Sequence, residues 1–195
     1  MKENDVAFWR MGGHGLHGRE EVDYYATDPV AIERLLPYEH FSKKIWEPAC
    51  GQGHLSEALV RNGHEVLSTD LIDRGYGIGG IDFLEVQEKW DGDIITNPPY
   101  KIAQQFCEHA IELIDDGHKV AMFLSLQFLE GVRKRRLFDK YPPKTVYVTS
   151  RRISCAKNGN FEKLNNGAQA YVWIVWEKPF PEQTMLRWFN GENDI

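Results

Sequence analysis

The sequence has no long apolar runs, few cysteines and no excess of positive charge. No hydrophobic stretch approaches the roughly 20 residues that cross a membrane, and the first ten residues contain no apolar signal core, so we expect a cytoplasmic protein with no membrane partner. The three cysteines are widely spaced, which fits neither a disulfide framework nor a zinc cluster, and we expect no metal. The net charge of −6 argues against a protein that coats DNA through overall positive charge.

The charge is unevenly distributed along the chain. Residues 131–163 contain ten lysines and arginines but only two acidic residues, a local charge of +8 in a protein that is acidic elsewhere. This asymmetry indicates an acidic body with one patch for a polyanion, although a solvated helix face gives the same pattern. At 195 residues the chain is about one domain long. We predict a glycine-rich flexible arm at 1–22, one domain at 23–180 and a tail at 181–195.

Short apolar strands alternate with amphipathic helices from residue 44 onward, which predicts an α/β fold with a doubly wound, mainly parallel sheet. The last strand is apolar on both faces and follows its predecessor as in a hairpin, so we expect it to lie antiparallel inside the sheet. The predicted strands are seven: 44–48, 65–69, 80–83, 93–96, 119–126, 145–149 and 168–176. The helices that we predict after residue 50 are 52–62, 102–114 and 130–140, and a loop is predicted at 150–166.

Two loops carry the strongest functional signal. Gly51 and Gly53 follow the first predicted strand, and Asn97-Pro98-Pro99-Tyr100 follows the fourth. In doubly wound sheets, ligands bind at the carboxyl ends of the strands where the strand order reverses, so the two loops form one site if these strands are neighbours. Glycines also bracket turns for steric reasons alone. The chain has neither the GxGxxG spacing nor the P-loop lysine, which disfavours a pyrophosphate or triphosphate ligand.

Two acidic residues near the ends of the second and third predicted strands support a nucleoside site. Asp70 closes the second strand, where a carboxylate holds ribose hydroxyls in nucleoside-binding sheets, and Asp82 closes the third. With these acids and the two loops, the sequence resembles the S-adenosylmethionine-dependent amino-methyltransferases, above all the DNA adenine N6 methyltransferases. The resemblance is specific at residues 47–55, Asp70, Asp82-Phe83 and the tetrad 97–100, and it implies a Rossmann-like class I methyltransferase fold.

The resemblance also assigns roles to individual residues. It implies that the backbone of Gly51 and Gly53 contacts the methionine part of S-adenosylmethionine, that Asp70 holds the ribose, and that Asp82 and Phe83 hold the adenine. Residues 24–29 look like the upstream cofactor motif, in which a threonine contacts the methionine carboxylate; here this is Thr27. The full set of expected cofactor-binding residues is Thr27, Glu47, Pro48, Ala49, Gly51, Gly53, Asp70, Leu71, Asp82, Phe83 and Asn97.

The tetrad also makes chemical sense by itself. The exocyclic amine of adenine is a poor nucleophile because its lone pair is delocalised into the ring. The side-chain oxygen of Asn97 and the carbonyl oxygen of Pro98 can accept its two hydrogens, and the prolines Pro98 and Pro99 fix the backbone that presents them. Tyr100 would stack on the extruded base. Methyl transfer of this kind requires no metal and no covalent enzyme intermediate.

The tetrad does not identify the acceptor, because amino-methyltransferases of RNA bases and of protein glutamine share it. The basic stretch favours DNA, and we predict that phosphate contacts come from Arg133, Lys134, Arg136, Arg151, Arg152 and Lys157. RNA and glutamine methylation are the alternatives among enzymes, and an inactive cofactor-binding scaffold subunit is the alternative of another class. No room remains for a recognition domain, so sequence specificity would come from the loop 150–166, the N-terminal arm or a second subunit.

Overall fold

The computed structural model describes residues 25–149, 153, 155–157 and 169–189. In that part of the chain the strands are β1 Tyr25–Thr27, β2 Lys44–Glu47, β3 Glu65–Ser68, β4 Asp93–Thr96, β5 Lys119–Ser125, β6 Thr145–Thr149, β7 Cys155–Lys157, β8 Tyr171–Glu177 and β9 Met185–Phe189. The α-helices are α1 Val30–Leu35, α2 His54–Arg61, α3 Ala103–Leu113 and α4 Val132–Lys140. Short 3-10 helices cover Phe83–Glu85, Tyr100–Ile102 and Leu126–Leu129.

A seven-stranded sheet in the order β3-β2-β4-β5-β8-β6-β9 forms the centre of the fold. Strands β3, β2, β4 and β5 are parallel to one another, and β8 runs antiparallel between β5 and β6. The predicted α/β class and the insertion of the antiparallel strand are therefore confirmed. The first β-α-β units place β2 in the middle of the parallel half, so that the chain extends from it in both directions, as at the switch point of a doubly wound sheet.

The two faces of the sheet bury separate apolar clusters. Along β8, Val172, Ile174 and Trp176 face a cluster with α3 and α4, and the alternate residues face a cluster with α1 and α2. All six of these β8 residues are at most 7% exposed, which explains why the strand reads as apolar throughout. Helix α1 follows Asp28-Pro29, and the Asp28 carboxylate accepts a hydrogen bond from the Val30 amide at 3.0 Å.

The predicted strand at 80–83 is wrong. The chain forms the 3-10 helix Phe83–Glu85 there, with Asp82 at its N-terminus accepting a hydrogen bond from the Leu84 amide at 3.1 Å. Gly80 has a φ of +79°, which breaks an extended run just before this turn. Just before this turn, an isolated bridge joins Ile78 to Thr69, the residue that follows β3.

Two other segments differ from the prediction. Residues 185–189, predicted as part of a tail, form β9, which pairs parallel with β6 at the edge and supplies the seventh strand in place of 80–83. Within the predicted loop 150–166, β7 pairs antiparallel with β1. Both strands owe their existence to distant partners, and neither has a periodic apolar pattern of its own. In the described part of the chain, no helix has the length and apolar character needed to cross a membrane.

Candidate cofactor and acceptor site

The two sequence loops meet at the carboxyl end of the parallel strands. Strand β2 pairs with β3 on one side and with β4 on the other, so the glycine turn after β2 lies between the chain that follows β3 and the tetrad that follows β4. The first and fourth predicted strands are therefore neighbours, which is the condition under which the two loops form one site. One cavity occupies this edge, and its walls include Thr27, Glu47, Pro48, Ala49, Asp70, Leu71, Asp82, Phe83, Asn97, Pro98, Pro99 and Tyr100.

Gly51 and Gly53 belong to the turn after β2 but are not among the residues that line this cavity. The Gly51 amide donates to the Asp70 carboxylate at 2.8 Å, and the Cys50 amide donates to the Thr69 carbonyl at 3.0 Å, so the turn is bonded to the end of β3. Gly53 has a φ of +86°, and a Cβ added there would lie 2.4 Å from the ring of Tyr76. Glycine is therefore required at residue 53 by both backbone conformation and packing.

Asp70 is held in a fixed orientation with its carboxylate in the cavity wall. Its second oxygen accepts from the Ile72 amide at 2.9 Å, in addition to the bond from Gly51. Burial raises the pKa of Asp70, and these amide donors together with the charge of Arg74 act in the opposite direction. The arrangement presents an acceptor that is fixed before a ligand binds, at the place where the sequence predicted contacts with ribose hydroxyls.

Glu47 is the most deeply buried acid of the site, with 2% of its surface exposed. The hydroxyl of Ser56 on α2 donates to its carboxylate, and Ser56 and Ser68 lie within hydrogen-bond distance of each other at 2.6 Å. Burial raises the pKa of Glu47 well above its usual range, and the nearby Asp70 adds to the effect. A cationic ligand placed against this carboxyl group would favour its ionised form.

Asp82 and Phe83 also line the cavity. Phe83 is 1% exposed; its ring meets Trp46 edge-on at 5.1 Å between centroids and lies tilted against Phe106 at 4.9 Å. Asp82 is half-buried and lies at the start of the 3-10 helix, so its position follows from that turn rather than from a strand. Apolar residues flank the two acids, and this combination suits a flat heterocycle with polar edges.

The tetrad continues directly from β4, whose four residues are all buried. Asn97 is half-buried with its Oδ1 shielded from solvent, and Tyr100 begins the 3-10 helix Tyr100–Ile102. The two prolines offer no amide hydrogens, and Pro99, with φ −57° and ψ 124°, is extended just before the 3-10 helix. The hydroxyl of Tyr100 donates to the hydroxyl of Tyr171 at the start of β8, at 3.2 Å.

Further residues of the cavity wall were not predicted. His54 and Arg74 line it together with Ala26, Cys50, Leu55, Ile72, Ile81, Ile102 and Phe106. His54 begins α2 directly after the glycine turn, a position that its place in the sequence could have indicated, whereas nothing in the spacing marks Arg74. Burial raises the pKa of the Cys50 thiol, so the thiol stays protonated and is a poor nucleophile.

The predicted phosphate contacts fall into three groups. Arg133 and Arg136 are exposed on α4, together with Arg135. Lys134 instead packs against the protein, since its ammonium lies 4.1 Å from the centroid of the Phe128 ring and 3.4 Å from the Gln104 side-chain oxygen. Burial lowers the pKa of Lys134. Of the remaining three, Arg151 and Arg152 lie outside the described residues and Lys157 belongs to β7.

Within the described ranges, no cluster of three or more histidine, cysteine or acidic side chains is arranged to hold a metal ion.

No family model and no curated protein sequence matches the chain. Similarity therefore comes from solved structures alone. A proposed class I S-adenosylmethionine-dependent methyltransferase of Listeria monocytogenes matches with a TM-score of 0.59 and 12% identity, over 91% of this chain and 69% of that one.

Two further structures share the architecture. The methyltransferase subunit of a type I restriction-modification system from Streptococcus thermophilus matches with a TM-score of 0.58 and 14% identity, over 90% of this chain and 48% of that one. A proposed RNA methyltransferase of Pyrococcus horikoshii matches with a TM-score of 0.56 and 18% identity, over 89% of this chain and 96% of that one. The chain thus spans about half of the restriction-modification subunit. The fold is the Rossmann-like fold of class I methyltransferases.

Proposed function

We propose that the chain is an S-adenosylmethionine-dependent methyltransferase that modifies the N6 amine of adenine in DNA. The observation that carries this proposal is a cavity whose walls combine the turn after β2, the acids Asp70 and Asp82, and all four residues of the tetrad. A donor methyl group and an acceptor amine bound to these two sets of residues would lie side by side. Holding two reactants in this way supplies a large part of the rate enhancement in bimolecular transfer.

The residues of the cavity fit the chemistry of the cofactor. Asp70 offers a prearranged carboxylate to a pair of ribose hydroxyls, and Phe83 with its apolar neighbours offers a surface to the adenine ring. The buried carboxyl group of Glu47 suits the cationic amino group of the methionine end. Thr27 of β1 lies in the cavity wall, where it can contact the carboxylate of the methionine. When bound, S-adenosylmethionine supplies an electrophilic methyl group on a sulfonium.

The tetrad supplies the acceptor half of the mechanism. The carbonyl oxygen of Pro98 and the side-chain oxygen of Asn97 accept the two hydrogens of the amine, which returns electron density to its nitrogen. Because Asn97 Oδ1 is shielded from solvent here, this role requires the amide group to turn its oxygen toward the acceptor when the acceptor binds. Tyr100 stacks on the extruded base, a contact worth about 1 to 3 kcal/mol at comparable stacking sites.

The exposed arginines of α4 favour a nucleic acid as acceptor. The amino end of α4 follows the carboxyl end of β5, which neighbours β4, so the helix begins at the same edge as the tetrad. Arg133 lies in its first turn and Arg136 one turn later, where both are accessible to a phosphate backbone. In a complex with duplex DNA the target adenine must leave the base stack, because an enzyme cannot reach the amine of a base that is still inside the duplex.

The test is transfer of radiolabelled methyl from S-adenosylmethionine to double-stranded DNA, single-stranded DNA, RNA and protein extract in parallel, followed by nucleoside analysis of any labelled product. N6-methyladenine in DNA is the expected result. Label in RNA or on protein glutamine would support the proposed chemistry of the tetrad and show that the acceptor is not DNA. Cofactor binding without label in any acceptor would overturn the enzymatic proposal in favour of a scaffold subunit.

A further inference from the structure

Tyr100 is connected to the interior of the protein through a second tyrosine that the tetrad does not contain. Its hydroxyl donates a hydrogen bond to the hydroxyl of Tyr171 at 3.2 Å, and the two rings lie 6.3 Å apart at 32°. Tyr171 is 7% exposed, whereas Tyr100 is half-buried at the cavity wall. The ring that faces the acceptor is therefore bonded at its far end to a side chain of the core.

Tyr171 is itself held rigidly. It stacks on Phe123 of β5 with ring centroids 5.1 Å apart at 17°, and Phe123 in turn packs on Trp173 at 5.0 Å. The indole nitrogen of Trp173 donates to the carbonyl of Ala31 in α1 at 2.9 Å. The backbone of Tyr171 pairs with that of Ser125 across the two strands. Rings and backbone together leave Tyr171 little freedom to move.

We propose that Tyr171 is a positioning residue, whose hydroxyl fixes the plane of the Tyr100 ring for stacking on the acceptor. This inference rests on the proposed function for its catalytic consequence. A tyrosine ring turns about two side-chain torsions, and its hydroxyl oxygen lies on the axis of the second. A hydrogen bond at this oxygen restricts the first torsion by fixing where the oxygen lies, and it restricts the ring plane because the phenol O–H that donates prefers to lie in that plane. Stacking of an acceptor on a ring that is already in place costs less conformational entropy than stacking on a ring that must first be ordered.

The substitution Tyr171→Phe isolates this role, because it keeps the stacked ring and removes only the hydroxyl that accepts from Tyr100. We expect kcat to fall about fivefold, the equivalent of one ordinary hydrogen bond, while the affinity for S-adenosylmethionine stays the same. In a double-mutant cycle, Tyr171→Phe should add almost nothing to Tyr100→Phe, since either change removes the same bond. Full additivity of the two changes would overturn the inference.

Tyr147→Phe is the matched control. Tyr147 is also a buried tyrosine of the sheet, but its hydroxyl donates instead to the carboxylate of Glu39 at 2.8 Å. Its substitution should lower the thermal midpoint, leave kcat unchanged at temperatures well below unfolding, and combine additively with Tyr100→Phe. A loss of kcat equal to that of Tyr171→Phe would show that loosening of the core, and not the bond to Tyr100, explains the effect.

A second measurement needs no acceptor and separates this inference from the proposed function. Full-length protein labelled with 3-fluorotyrosine gives a ¹⁹F resonance for Tyr100, assigned by its loss in Tyr100→Phe. In Tyr171→Phe this resonance should narrow toward that of a mobile ring, and in Tyr147→Phe it should keep its width. An unchanged width in Tyr171→Phe overturns the positioning role. Failure of methyl transfer to every acceptor, with the narrowing observed, overturns the proposed function and leaves the positioning of Tyr100 standing.

Discussion

At the residue scale, Asn97 carries the most specific chemical expectation. In the proposed mechanism, Asn97→Ala removes one of the two hydrogen-bond acceptors for the amine and leaves the backbone of the turn intact. We expect turnover to fall by about 10² to 10³ or more, as when one preorganised polar group is lost from a transition state, with cofactor affinity changed only a few-fold. Steady-state methyl transfer and calorimetric titration with S-adenosylmethionine measure the two quantities.

Asn62→Ala provides the comparison for Asn97→Ala. Asn62 follows the last residue of α2, and its side-chain amide donates to the carbonyl of Ala58 at 2.8 Å. Its replacement should cost some stability and leave turnover near that of the parent. Full activity in Asn97→Ala, or a large loss of cofactor binding, would contradict the role assigned to this residue.

Glu47 makes stability depend on pH at the same scale. Burial raises the pKa of Glu47 in the folded state. At pH values between the unfolded and the folded pKa, the native protein therefore keeps a proton on Glu47 that the unfolded chain has released. The free energy of unfolding should therefore decrease as pH rises through this window. Glu47→Gln should flatten the decrease, which urea unfolding at a series of pH values would show. An identical pH profile for parent and variant would mean that folding does not raise the pKa of Glu47.

At the element scale, the glycine turn and the segment after β3 behave as one unit. Gly53→Ala should distort the turn because its Cβ would meet the Tyr76 ring, and it should lower both stability and cofactor affinity. Gly63→Ala is the matched control, since Gly63 also has a positive φ, of +91°, but no atom lies within 4 Å of the added Cβ. Backbone strain alone costs about 1 to 2 kcal/mol in this conformation.

The difference between these two variants isolates the contact with Tyr76. Adding Tyr76→Ala to Gly53→Ala should recover part of the lost cofactor affinity, because the clash is removed while the backbone strain remains. Differential scanning fluorimetry with and without S-adenosylmethionine reports both effects. Equal losses in Gly53→Ala and Gly63→Ala would exclude a role for the Tyr76 ring in holding the turn.

At the scale of the whole molecule, the decisive property is the charge asymmetry. A net charge of −6 disfavours nucleic-acid binding through overall charge, so the proposed function requires DNA to bind at the basic segment. Arg133→Ala with Arg136→Ala should weaken DNA binding and lower the slope of log affinity against log salt by about two, one for each phosphate that is no longer neutralised. Fluorescence anisotropy across a salt series measures this slope.

Lys134→Met is the control for these arginines, because the substitution keeps an apolar stem against Phe128 and removes a charge that faces the protein. The slope should then stay close to that of the parent. If Lys134→Met lowered the slope as much as the loss of one arginine does, Lys134 would contact a phosphate, as the sequence predicts. An unchanged slope in the double arginine variant would move the acceptor surface away from α4.

The sequence by itself determined strands β2 to β5 of the parallel half and many of the residues that line the cavity. Apolar strands, amphipathic helices and the tetrad are local patterns, and residues of the tetrad and of the cofactor motif do line one cavity. It also determined the insertion of β8, because a strand apolar on both faces needs neighbours on both sides. These signals survive folding because each depends on the residue types within one element.

Only the tertiary structure decided what depends on distant partners. Strands β7 and β9 are strands because β1 and β6 supply their hydrogen bonds, and residues 80–83 are not a strand because a positive-φ glycine and the Asp82 cap favour a turn. The packing of Lys134 on Phe128, the ring of Tyr76 over Gly53 and the bond from Tyr100 to Tyr171 join residues that no spacing relates. Such contacts follow from the shape of the folded chain, since each side chain meets a neighbour that its own segment does not specify.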